Sequence, residues 1–221
     1  MGFKCVDNGF LRQLSIYFSG GYHESQYFLG TLLCTEPRGV YGYGYYVQQK
    51  MSDIASVQLP VDNCQDAPYL LSFFDELVEE KNDVFDVIHW NNGLWDVLHF
   101  AGNPNPHTTL SKYSYVIHEI FMLLKSRYPS AKICFATTTA VPERCKNNMS
   151  FRKNSEIEMF NRAAVDILDG KVDYVNDLYL YSTNIGNEYR AADGLHYSAR
   201  GSEMLAEYVQ SYLRKILACN I

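Results

Sequence analysis

From residue 45 onward the chain alternates helical segments with short apolar runs, and that alternation restricts the fold more than any other feature. Residues 45–54 read as a helix and 55–60 as a short strand candidate. The spacing of Leu70, Leu71, Phe73, Phe74, Leu77 and Val78 predicts a helix over 66–81, with Asp66 as its cap and Pro68 tolerated in its first turn. A strand over 84–90 stops at the turn-forming cluster Asn91, Asn92, Gly93. An irregular loop through 102–106 leads to a long helix over 108–127, and 131–138 is a continuous apolar strand of the buried kind. A helix over 155–168 is closed by Gly170, a short strand follows over 172–175, and an amphipathic helix covers 198–217. Strands alternating with helices of this length imply an α/β fold, a parallel sheet covered on both faces. Ligands of such sheets gather at the carboxyl ends of the strands, where Asn91 and the run Thr137 to Thr139 fall.

Composition narrows the function classes. At 221 residues, 47% hydrophobic and 20% charged, the chain fits one domain over 1–221 with a full-sized core. The net charge is −6 and the pI about 5.5, with no Lys/Arg run, so no nucleic-acid partner is expected. Six cysteines show no Cys-x-x-Cys pair and no His at metal-ligand spacing. Cys34 and Cys134 sit in apolar runs, as buried structural thiols do. The first residues lack the apolar stretch of a signal peptide and no segment is long enough to span a bilayer, so a cytoplasmic location without a membrane partner is expected. The 18 tyrosines are the one excess, and most are expected to straddle the core edge.

Asp193 and His196 stand three residues apart at the mouth of the last helix. An Asp so placed can orient the imidazole, fix its tautomer and stabilise the imidazolium formed when the ring takes a proton. Asn91, at a strand end, offers an amide N–H to a developing oxyanion. Each also has a plain structural reading: Asn91 as a turn residue, Asp193 as a helix cap beside an exposed His196.

Taken together, the strand-end block from Asp86 through His89, Trp90, Asn91, Asn92, Gly93, Leu94 and Trp95 to Asp96, and the late Asp193-Gly194-Leu195-His196, resemble the SGNH/GDSL hydrolase family, in its bacterial esterase and acetylesterase-like form. The resemblance covers residues 42–217. It implies a three-layer α/β/α fold with a central, mostly parallel sheet, flavodoxin-like in outline. It implies His196 as general base, Asp193 as its orienting partner and Asn91 as an oxyanion donor, and it maps a further oxyanion donor to Asn63. His89 stands where the family block usually has Gly, and Asn92 where it usually has Asp. Trp90 and Trp95 flank the block and are expected to be half core and half cleft wall.

The family's Gly-Asp-Ser nucleophile block, expected at the end of the first strand, has no counterpart. Matching Gly30 to its Gly puts Thr31 and Leu32 in the Asp and Ser positions, while counting back from the next helix puts Arg38 there. Ser19 and Ser25 come early by either count, and Cys34 is the other conventional nucleophile nearby. Residues 1–32 are thus atypical for the family, and a wrong start site or an altered reading frame there would account for the missing serine. The nucleophile stays unassigned.

Three functions follow as expectations. The first is an ester hydrolase that removes O-acyl groups, acetyl among them, from a carbohydrate or small ester without a metal or organic cofactor. The second is a catalytically inactive relative that binds a glycan or acyl ligand in the same cleft. The third, a metal site for phosphoester hydrolysis, would need Asn91, Asp193, His196 and His89 to converge on one ion.

Overall fold

A computed structural model describes residues 42–55, 57–60, 63–77, 85–142 and 150–218. The chain runs α1 (Tyr43–Met51), α2 (Ala67–Ser72), α3 (Phe74–Leu77), β1 (Val87–Trp90), β2 (His99–Phe100), α4 (Leu110–Arg127), β3 (Lys132–Ala136), β4 (Ser150–Phe151), α5 (Asn154–Leu168), β5 (Tyr174–Asn176), α6 (Leu178–Ser182) and α7 (Ala199–Ala218). β1, β3 and β5 form a parallel sheet in that spatial order, with Val87 opposite Lys132 and Cys134 opposite Tyr174. β1 is buried along its whole length and β3 from Ile133 onward, as strands covered on both faces must be. α1 packs against α7, and α4 against α2 and α5, so helices flank the central parallel sheet as expected.

Local chemistry explains the helices. Thr109 caps α4 by accepting from Lys112 N, and Tyr113, Val116, Ile117, Ile120, Phe121 and Leu124 bury one stripe at helical spacing. Lys125 and Arg127 complement the dipole of its last turn. Asp66 caps α2 by accepting from Tyr69 N at 2.7 Å, with proline in the first turn. α7 turns Leu205, Ala206, Val209, Leu213 and Ile216 into the core, and Lys50 of α1 reaches Glu203 at 3.3 Å and Glu207 at 3.5 Å across their seam. None of the helices among the described residues is long and apolar enough to cross a membrane.

Some boundaries differ from the sequence pattern. The helix expected over 66–81 breaks at Phe73, whose backbone (φ −116°, ψ 26°) separates α2 from α3. Of the strand candidate at 55–60, the described residues 55 and 57–60 form no strand. Ala55, Val57 and Leu59 are buried around a half-buried Gln58, so the period-two pattern serves packing, but no strand among the described residues pairs with it. β2 and β4 form a two-stranded antiparallel pair, too short to leave a periodic signal.

Asp96 bolts the start of α2 to the turn beyond β1. Its carboxylate oxygens both accept from Ala67 N at 3.2 Å, and its backbone carbonyl accepts from Thr108 N at 3.0 Å. Burial, reinforced by the nearby Asp66 carboxylate, pushes the Asp96 carboxyl up to about 7. A carboxyl raised in the folded state favours folding most below its unfolded value near 4, and that contribution is lost as pH rises through about 7. Asp96→Asn keeps an acceptor for Ala67 N and removes the charge. The urea midpoint of Asp96→Asn relative to the native chain should therefore climb between about pH 4 and pH 7, and a pH-independent difference would contradict the assignment.

Candidate active site

At the carboxyl end of the sheet, the chain beyond β3 leaves the ladder but stays buried from Thr137 to Val141. Two asparagines of α5 take the place of a strand. Asn161 Oδ1 accepts from Thr138 N at 2.7 Å while its Nδ2 donates to Thr138 O at 2.9 Å, and Asn154 treats Val141 N and O the same way at 2.9 and 2.8 Å. Seven residues of helix advance about 10.5 Å and three of extended chain about 10 Å, so the two amides keep step with the segment they hold. Ala140 N donates to Ser182 Oγ of α6 at 2.8 Å.

This buried segment anchors both halves of the site. Asn91, just past β1, donates from Nδ2 to Ala136 O at 2.6 Å. Thr138 Oγ1 and Tyr113 Oη both donate to Asn92 O, at 3.0 and 2.8 Å. Gly93, at φ 147°, permits this approach, because a Cβ there would run into Thr138 Oγ1. Trp90 Nε1 donates to Asn92 Oδ1 at 2.7 Å and the indole packs edge-on to Phe135. Trp90 is thus a wholly buried core residue rather than a cleft wall, while Trp95 is half-buried. Asn63 is buried before α2, with Oδ1 accepting from Gln65 N at 2.8 Å.

The Asp193–His196 loop is a tight hairpin. Arg190 and Tyr197 pair across it, Ala191 N donates to His196 O at 2.7 Å, and Gly194 takes φ 73° at the bend. Asp193 Oδ1 accepts from Leu195 N and His196 N, both at 2.9 Å, and Oδ2 faces His196 Nδ1 at hydrogen-bond distance or closer. Burial works to raise the Asp193 carboxyl, but the His196 ring and the two backbone donors outweigh it and hold it at about 2. In the neutral ring this contact puts the proton on Nδ1 and the lone pair on Nε2. Nε2 is buried and has no hydrogen-bond partner among the described residues.

Solved structures share this fold over nearly the whole chain. A lipase/acylhydrolase from Enterococcus faecalis matches at 18% identity and a TM-score of 0.63, over 92% of this chain and 96% of that one. An acetylxylan esterase, Axe2, from Geobacillus stearothermophilus matches at 16% and 0.62, over 93% and 94%. A carbohydrate esterase family 3 structure from Talaromyces cellulolyticus matches at 11% and 0.63, over 93% and 99%. The chain has the SGNH/GDSL hydrolase fold. No family model matches the sequence, and neither does any curated protein.

Within the SGNH/GDSL fold, the nucleophile candidates Ser19, Ser25 and Cys34 lie outside the described residues. Cys134, by contrast, is wholly buried in β3, where burial pushes the thiol well above its ordinary value, as befits a structural cysteine. The residues of the metal reading are committed to separate partners. His89 Nε2 accepts from Asn176 Nδ2 at 3.1 Å, Asn91 donates to Ala136 O, and His196 is bonded to Asp193. No three His, Cys, Asp or Glu side chains among the described residues gather to hold an ion. Sequence reasoning missed Asn154, Asn161 and Arg190; the seven-residue spacing of the two asparagines on one helix was the available signal.

Asn161→Ala strands the Thr138 N–H and C=O in a buried setting. It should cost about 2–4 kcal/mol in denaturant unfolding, whereas the less buried Asn154→Ala should cost less; a neutral Asn161→Ala would remove the α5 cradle from the account.

Proposed function

We propose that this protein is an SGNH-type ester hydrolase that removes O-acyl groups, acetyl first among them, from a carbohydrate or another small ester. The observation that carries this reading is the polarised imidazole of His196. Its Nδ1 is engaged by an ionised Asp193, and its buried Nε2 has no partner among the described residues. A buried ring nitrogen left without a partner costs about 1–3 kcal/mol, a cost that a base reserved for a nucleophile or substrate explains. Structures of the same fold from esterases that act on acetylated xylan support the substrate class.

In this reading, Nε2 takes the proton of a hydroxyl or thiol as that group attacks the ester carbonyl, and Asp193 stabilises the resulting imidazolium. The Asn91 amide, held in place through Ala136 O, donates to the oxyanion, and Asn63 Nδ2 adds a second donor. Collapse of the tetrahedral intermediate expels the alcohol, which leaves with the proton from Nε2. Water, deprotonated by the same nitrogen, then releases the acid and frees the nucleophile.

The missing Gly-Asp-Ser block favours a second reading, in which the same cleft binds a glycan or acyl ligand without turnover. Hydrolysis of a short-chain aryl acetate, with serine- and thiol-directed acylating probes mapped by mass spectrometry, separates the two. His196→Ala should lower kcat/KM by about 1000-fold or more with the fold retained, and full activity in that variant would remove His196 from the mechanism. Asn91→Ala should lower kcat by about 100- to 1000-fold with little change in KM, as expected for a donor used in the transition state. No turnover and no labelling by the native protein would select the binding reading.

A further inference from the structure

We propose that Arg190 is a positioning residue that sets His196 against the oxyanion side of the site; this deepens the ester-hydrolase reading and rests on it. The side chain joins two otherwise separate pieces of backbone. Nη1 donates to Leu195 O at 2.9 Å, on the residue before His196, and Nη2 donates to Ala140 O at 3.0 Å, in the buried segment beyond β3. The guanidinium carbon lies 3.7 Å from the ring centroid of Tyr197, on the residue after His196. Arg190 thus grips both chain neighbours of His196 and ties them to the segment that follows Ala136, whose carbonyl holds the Asn91 amide.

The planar fork suits this task. Two N–H groups diverge from one rigid plane toward two carbonyls while the face of that plane lies on an aromatic ring, a combination that a lysine ammonium cannot supply. The backbone pairing of Arg190 with Tyr197 closes the hairpin and fixes its internal shape. It does not fix where the hairpin sits relative to the sheet. The guanidinium bonds to Leu195 O and Ala140 O tie it to the chain beyond β3, alongside the burial of Leu195 and Tyr197 in the core, so the distance from His196 Nε2 to the Asn91 amide depends in part on them. Small misplacements of a catalytic group cost about 100-fold in rate.

The test uses Arg190→Ala and Arg190→Lys in the full chain, read by proton NMR of the His196 Nδ1–H and by aryl acetate kinetics. In Arg190→Ala the Nδ1–H resonance should move or broaden while those of His99 and His107, in another part of the fold, hold still. The kcat should fall about 100-fold with KM nearly constant, and added methylguanidinium should recover at least part of it. Arg190→Lys, able to reach one carbonyl at a time, should fall between the two and also serves should the alanine variant fail to fold. An unchanged His196 resonance with unchanged kcat in Arg190→Ala overturns the proposal, as does a loss shared equally by all histidine signals in both variants. If the native chain shows no esterase activity, the hydrolase reading fails, and the resonance comparison alone still decides whether Arg190 positions His196.

Discussion

The site depends on the pairing of α5 with the chain beyond β3. A parallel strand normally hands over to a surface loop, where backbone polar groups reach water; here residues from Thr137 to Val141 remain buried, so every N–H and C=O needs a partner from the protein. Asn161 and Asn154 supply four of those bonds with two amide groups, each presenting a donor and an acceptor as a neighbouring strand would. Because this segment is fixed, it can act as a reference for other parts of the fold. Asn91 reads its position from Ala136 O, Asn92 from Thr138 Oγ1, and the His196 hairpin from Ala140 O through Arg190. Groups more than a hundred residues apart in sequence are set by bonds to five consecutive residues or the one before them.

Much of this was legible in the chain, because the signals concerned were periodic or local. The helical stripe of α4, the Asp66 cap with its proline and the apolar run of β3 all depend on neighbours within a turn or a strand, and all appear close to their expected places. The Asp193–His196 contact is also local, closed by backbone bonds within four residues. The cross-connections were not legible. A two-residue strand pair has too few positions for a period, the role of Trp90 turned on whether Asn92 could reach its indole, and the amide cradle of Asn154 and Asn161 acquires meaning only when a strand end 13 to 23 residues away is laid against it. Residue 73 shows the same limit from the other side: an unbroken apolar pattern over 70–78 does not reveal that the backbone turns at Phe73.

Two histidines show how environment holds one kind of side chain in two different ways. His196 sits against the Asp193 carboxylate, which the ring and two backbone donors hold ionised at about 2. His89 sits in the sheet, where burial outweighs a backbone hydrogen bond that favours the charged ring and drives it down to about 3. A neutral ring can still accept one bond, and Asn176 Nδ2 provides it.

That bond spans the described sheet. His89 belongs to β1 and Asn176 to β5, the two outer strands of the described sheet, with β3 between them. The strand between offers small side chains, Cys134 and Ala136, two residues apart and therefore on one face, so an imidazole can reach across where a larger neighbour would block it. A glycine at residue 89 would leave Asn176 Nδ2 buried without this acceptor. The His89–Asn176 bond is then a brace across the described strands, placed two residues before Asn91.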